Sequence, residues 1–156
     1  LNIDPHLGTN AEFKAFVDAA RARGIRVYLD IVVNHTADMN FHREGVYSYR
    51  GKATHPYRTS AGATFDDRAH VYNGVLETEF PAMAVESSFP YVPQAAASGA
   101  KKSPDWLNDL TNYHNRGDST FFGENSLYGD FSGLDDLFTE KASVVKGFTD
   151  IFRSWM

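Results

Sequence analysis

The chain contains no cysteine, so no disulfide holds it together, and that absence alone does not assign it to a compartment. No apolar run approaches the roughly 20 residues needed to span a bilayer, and no signal peptide or internal repeat is visible. A surplus of positive charge is lacking too. The formal net charge is -5, which argues against a nucleic-acid partner or an anionic membrane surface, since both reward a basic patch. What the sequence does have is apolar material, 42% hydrophobic and 14% aromatic residues over 156 positions, enough for one globular core. It opens on Leu1 and stops at "FRSWM" within an apolar periodic pattern, which reads as a piece of something longer, truncated at both ends.

Two helices are well signalled. In "GTNAEFKAFVDAARARGI", Thr9 and Glu12 have capping-box spacing, Phe13, Phe16, Val17 and Ala20 form an apolar stripe, and Gly24 suits a left-handed residue just past the end. In "TEKASVVKGFTDIFRSWM", Val144, Val145, Phe148, Ile151, Phe152 and Trp155 share one face, with Thr139 as N-cap. Gly147 interrupts that helix at about 1 kcal/mol relative to Ala, which suggests a close packing contact.

After the first helix comes "RVYLDIVVNHTAD". Six of the nine residues at 27–35 are aliphatic or aromatic, the pattern of a strand buried on both faces. A helix feeding such a strand through a short connection is half of a βαβ unit. About one hundred residues, 36–138, then separate this strand from the last helix. Strand-to-helix connections are usually about 2–6 residues, so this stretch is an insertion with its own fold. It is rich in Gly, Pro, Ser, Asn and Asp, with "YVPQAAASGAKKSP" as an exposed excursion and "GVYSYR" and "RAHVYNGV" as candidate short strands.

Asp30 is the costly member of the strand, because a carboxylate in an apolar interior needs a partner or takes up a proton. A structural ion pair or a sheet-end hydrogen bond would satisfy it without any chemistry. Asn34 and His35 end the strand at its carboxyl side, where parallel α/β sheets and barrels place their sites. Asn34-His35-Thr36 also spells a glycosylation sequon, but a pocket-facing strand end is a poor place for a glycan.

"DIVVNH", preceded by "IDPHLGT" and the capped helix, resembles the first signature segment of the alpha-amylase family of glycoside hydrolases, and "GLDDLF" resembles a later one. The resemblance runs the length of the chain. It implies a partial (β/α)8 TIM barrel: residues 1–35 as the second barrel helix and third strand, 36–138 as the inserted domain B, and 139–156 as the third barrel helix. It further implies that Asp30 braces the active site, that Asn34 and Asp136 are ligands of a structural calcium, and that His35 hydrogen-bonds the bound sugar. Calcium prefers several hard oxygen donors, which an amide and a carboxylate supply in part. At 134–138 the chain departs from the family pattern, with Asp135 where proline is common and Phe138 where an acid is common, leaving Asp135 as the fallback ligand or a helix-start charge. Asp118, Glu124 and Asp130 are candidates for another cation site or simply solvated acids.

The resemblance implies a parent that cleaves α-glucosidic bonds of starch or maltodextrin with retention, using two carboxylates roughly 5–5.5 Å apart. Those groups lie on later barrel strands, so none of Asp30, Asp135 and Asp136 is assigned to them. Export to an extracellular or periplasmic location is expected, although a cytoplasmic maltodextrin enzyme matches the same window. The rival is a non-catalytic relative that serves as a binding or transporter-associated subunit. Aromatics crowd the insertion, and most suit its core, with Trp106, Tyr113 and His114 as candidate sugar contacts at the rim.

Overall fold

The computed structural model describes residues 2–71 and 79–156, so Tyr72 and the 73–75 end of the candidate strand "RAHVYNGV" lie outside the described residues. The chain forms two compact units, residues 1–32 and 33–156. The first is built on α1, Asn10–Ala22. The Thr9 side chain accepts from the Glu12 amide at 3.2 Å, and the Glu12 carboxylate accepts from the Thr9 amide at 2.8 Å. Both bonds satisfy orphan donors of the first turn, as the capping box predicts. At the other end, Gly24 sits at φ +75°, Gly24 N donates to Arg21 O and Ile25 N donates to Ala20 O, each at 3.0 Å. That is a Schellman ending, and it depends on the freedom of glycine to adopt a positive φ.

The strand expected at 27–35 is not formed: residues 27–33 join no ladder. Tyr28, Leu29, Ile31 and Val32 are all more than half exposed. Apolar periodicity states which side chains would welcome burial, whereas a strand exists only when neighbouring backbone satisfies its N–H and C=O groups. Among the described residues nothing does so for 27–33. Asp30 is therefore exposed rather than in a dry interior.

The second unit is loop-rich and carries two small antiparallel pairs. Strand β1, Asn40–His42, pairs with β4, Pro93–Ala95, in the register Asn40↔Ala95 and His42↔Pro93. Strand β2, Tyr57–Arg58, pairs with β3, Thr64–Phe65, as a short hairpin. Within "GVYSYR" no strand forms and Ser48 alone makes an isolated bridge among the described residues, to Asp118, while in the described part of "RAHVYNGV" Arg68 and His70 belong to a 3-10 turn spanning Asp67–His70. Asp66 caps that turn by accepting from Arg68 N, which explains why the chain coils there. A short helix, α2, covers Asn125–Tyr128. Gly117 (φ +88°) allows the bridge to pass, since a Cβ would lie 2.5 Å from Tyr47 O.

Helix α3, Ala142–Trp155, closes the unit. Its N-cap is Lys141 rather than Thr139, and no side chain caps it. Residue 139 is still engaged with the preceding segment, with Thr139 N bonded to Leu137 O, while Lys141 Nζ reaches back to Thr111 O at 2.8 Å. The core joins Leu107, Tyr113, Leu137 and Val144, with Trp106 and Phe148 packed against it. Gly147 faces the Trp106 ring so closely that a Cβ would lie 2.3 Å from it. The packing contact suggested by the sequence is present.

Gly147→Ala is accordingly predicted to destabilise the protein. Overpacking of about 1–3 kcal/mol exceeds the roughly 1 kcal/mol gained in helix propensity, and chemical denaturation would show a lowered midpoint. A raised midpoint would contradict the close approach of helix and indole.

Candidate functional site

The segment 134–138 lies between two others. On one side it meets residues 34–36, through the antiparallel bridge His35↔Asp136 and the bonds Thr36 N to Asp135 O at 2.9 Å and Leu137 N to Asn34 O at 2.7 Å. On the other it meets residues 112–114, through the bridge Tyr113↔Leu137 and the bonds His114 N to Asp136 O at 3.0 Å and Phe138 N to Asn112 O at 2.8 Å. Positions about one hundred apart in the chain, Asn34 and Asp136, are thus brought onto adjacent backbones.

Asp135 and Asp136 are both buried, and each has its own cation. The Lys102 ammonium pairs with Asp135 and also donates to Thr36 Oγ1 at 2.7 Å and to Tyr113 OH at 3.2 Å. Asp135 further accepts from the Met39 and Asn40 amides at 3.0 Å, anchoring the start of β1. Burial lowers the pKa of Lys102 and raises that of Asp135, and each partner opposes the shift of the other. Asp136 Oδ2 lies 2.5 Å from His114 Nδ1, whose Nε2 lies 3.1 Å from Glu140 Oε2. Burial disfavours a charged imidazole, but its hydrogen bonds to the two accepting carboxylates outweigh it and raise the His114 pKa to about 9.

Asn34 is exposed and donates through Nδ2 to His35 Nδ1 at 2.8 Å, which leaves the proton of a neutral His35 on Nε2. The His35 ring, half-buried, stacks on Phe131 with centroids 5.1 Å apart and planes 3° from parallel. Asp30, in the first unit, accepts from the adjacent Ile31 N at 3.0 Å and from no other group among the described residues. Tyr113 and His114 are fully buried and belong to the interior rather than the rim, while Trp106 packs on Gly147 and Phe148. Both misplaced aromatics flank the segment that Asp136 and Leu137 occupy, which the sequence did not reveal.

Asp118 and Asp130 are bridged to each other. Burial, reinforced by Asp135, Asp136 and Asp118, raises the pKa of Asp130 to about 7 even though it accepts from Asp136 N at 2.9 Å. Glu124 instead accepts from Tyr49 OH at 2.7 Å and Lys52 N at 2.8 Å. No cluster of three His, Asp or Glu side chains suited to a metal is found among the described residues, so a cation here would need amide or carbonyl oxygen as well. One amide oxygen and one carboxylate oxygen are available: Asn34 Oδ1 and Asp136 Oδ1 accept no hydrogen bond among the described residues. The residues missed by sequence reasoning are Lys102 and Glu140. The one available hint was Asp135, a second buried acid that required a partner.

A paired junction between an "NH"-ended segment and an acidic "LDDLF" segment defines a class, and the comparisons agree with it. The family description "Alpha amylase, catalytic domain" matches residues 1–156. The chain is 45% identical over 155 residues to an alpha-amylase of Streptomyces lividans, covering 99% of this chain and 16% of that protein. It is also 45% identical over 56 residues to an oligo-1,6-glucosidase of Heyndrickxia coagulans, covering 36% of this chain and 10% of that protein, and 38% identical over 72 residues to an isoamylase of Pseudomonas amyloderamosa, covering 41% and 9%. No solved structure matches. The chain belongs to the alpha-amylase family, and it spans about a sixth of the length of the Streptomyces relative.

Removing the buried imidazole leaves two carboxylates without their cation, so His114→Gln is predicted to destabilise the protein by about 3–5 kcal/mol. The folded pKa of about 9 lies above the ordinary 6.5. The contribution of His114 is therefore complete below pH 6.5 and is lost as the pH rises through about 9. Urea midpoints of the native and variant proteins should differ at pH 6 and approach each other near pH 10. A gap that does not narrow would contradict a charged His114.

Proposed function

We propose that this chain is the strand-three portion, with inserted domain B, of a retaining α-glucan-acting glycoside hydrolase whose catalytic carboxylates lie elsewhere in the parent enzyme. In this reading 1–35 and 139–156 belong to the (β/α)8 barrel and 36–138 to the insertion. The observation that supports it best is the His35↔Asp136 bridge, which joins the "NH" segment to the acidic segment and is consistent with a shared site. His35 is the sugar contact: its Nε2 has no partner among the described residues and its ring is held flat against Phe131. Asp30 is the brace, paired in the parent with a cation outside this chain. The periplasmic alpha-amylase of Escherichia coli, 38% identical over 55 residues, makes an exported parent the favoured reading. No helix among the described residues is long and apolar enough to cross a membrane.

Structural calcium is assigned in the same reading to Asn34 and Asp136. The excess of carboxylates at the junction and the protonation-prone Asp130 support a cation there. When bound, it would supply positive charge that Lys102 and His114 do not fully provide. The chain's own residues position the donors through the 34–36 and 134–138 pairing. Calcium at 100 times its dissociation constant is predicted to stabilise the parent enzyme by about 2.7 kcal/mol. Thermal unfolding with calcium and after chelation would show the shift, and Asp136→Asn would abolish it. Identical midpoints would remove calcium from the account.

Activity tests the function directly. The parent enzyme should release reducing sugar from starch, and the isolated chain should release none. His35→Ala in the parent should lower kcat/KM by about 10- to 100-fold, the effect of losing one buried hydrogen bond to substrate. Turnover by the isolated chain, or full activity of the variant, would overturn the assignment.

A further inference from the structure

Within 97–103, Lys102 is the one buried residue. Residues 97–101 before it and Ser103 after it face solvent, whereas its own side chain runs inward and is 6% exposed. A lysine with exposed neighbours ordinarily keeps its ammonium in water, so this one is held in by specific contacts. The Asn108 amide clips its peptide on both sides. Asn108 Oδ1 accepts from Lys102 N and Asn108 Nδ2 donates to Lys102 O, each at 2.8 Å. That clip fixes the point from which the flexible stem enters the junction.

Every proton of the ammonium finds an acceptor. Asp135 takes one, Thr36 Oγ1 lies at 2.7 Å and Tyr113 OH at 3.2 Å. The acceptors come one each from the segments that pair at the junction, 34–36, 112–114 and 134–138. A compact ammonium with rotatable donors suits this arrangement, whereas a planar guanidinium does not. Tyr113 OH donates to Leu107 O at 2.6 Å, which leaves its lone pairs for the ammonium. These contacts reach His35 through its chain neighbour. Thr36 is fixed twice, by its N–H to Asp135 O at 2.9 Å and by its hydroxyl to Lys102. The Asp135 carboxylate also accepts from the Met39 and Asn40 amides, so residues 36–40 are drawn onto the same ion pair. The His35 ring itself touches Asn34 and Phe131, both exposed, so the buried hold on its C-terminal side comes from Lys102 and Asp135.

We propose that Lys102 is a positioning residue for the sugar contact: its ammonium, held by Asp135, Thr36 and Tyr113, sets where the His35 imidazole stands without touching substrate. The role rests on the function proposed above, because it requires a glucosyl ring at His35. An ion pair that served stability alone could be exchanged for a neutral pair of similar size. A positioning ammonium could not, since a thioether in its place donates no hydrogen bond to Thr36 or Tyr113.

Starch hydrolysis by the full-length parent enzyme tests this through a double-mutant cycle. Lys102→Met combined with Asp135→Asn removes both charges together, so no buried ion is left uncompensated, and a thermal midpoint near the native one checks folding. With His35 present, kcat/KM should fall about 10-fold from misplacement of the imidazole. In a His35→Ala background the same pair should cost less than about 2-fold, because no imidazole remains to be misplaced. Thr36→Val keeps the ion pair and removes only the acceptor beside His35; it should show the same dependence on His35, and it carries the test if the paired variant does not fold. Equal losses in the two backgrounds, or native kcat/KM in a folded variant, would overturn the inference and leave the proposed function standing. Full activity of His35→Ala would remove the sugar contact, and this inference with it.

Discussion

Two adjacent carboxylates, Asp135 and Asp136, are buried in one strand-like segment, and the junction is organised around neutralising them. Successive side chains of an extended segment leave from opposite faces, so a single cation cannot serve both. Asp135 turns to Lys102 and the amides that open β1, whereas Asp136 turns to His114 and, through it, to Glu140. Each cation brings in a separate piece of chain. Lys102 belongs to the Ala- and Ser-rich excursion, and His114 to the 112–116 run that flanks the segment. Buried pairs of this kind add little net stability compared with apolar packing, yet breaking one is severe. Their main effect is to fix which strands of chain meet.

The same constraint accounts for the two places where the segment differs from the family pattern. Asp135 makes no backbone donation of its own among the described hydrogen bonds, so a proline would fit there, and its side chain is present for Lys102. Phe138, in place of an acid, is fully buried with its ring 4.4 Å from His114, 4.9 Å from Tyr57 and 5.1 Å from Phe80. An acid at that position would have added a further buried negative charge beside Asp136 and Glu140. The apolar ring instead dries the pocket and strengthens the ionic contacts within it.

Local signals were readable in the sequence wherever a few neighbouring residues decide the outcome. Thr9, Glu12 and Gly24 announced both ends of α1, and Gly147 announced a tight contact. The motif pair that suggested a junction, "NH" and "LDDLF", is joined by backbone pairing. Properties decided by distant partners were not readable. Residues 27–33 have the composition of a buried strand and no ladder to join, and Tyr113 and His114 resembled rim aromatics until the segment at 134–138 covered them. Thr139 has the chemistry of an N-cap, but the engagement of the preceding residues moved the start of α3 to Ala142. Lys102 in a Gly/Ser/Ala-rich stretch gave no sign that it would be buried.

If the paired carboxylates hold the junction as described, the amides of Thr36, His114, Leu137 and Phe138, which bond across its two sides, belong to its most stable unit. Native-state hydrogen exchange by NMR on the parent enzyme measures them individually. The account predicts that these four exchange together and far more slowly than the amides of the exposed 96–101 excursion. Exchange of the four at the rate of that excursion would mean that Asp135 and Asp136 do not organise the fold around them.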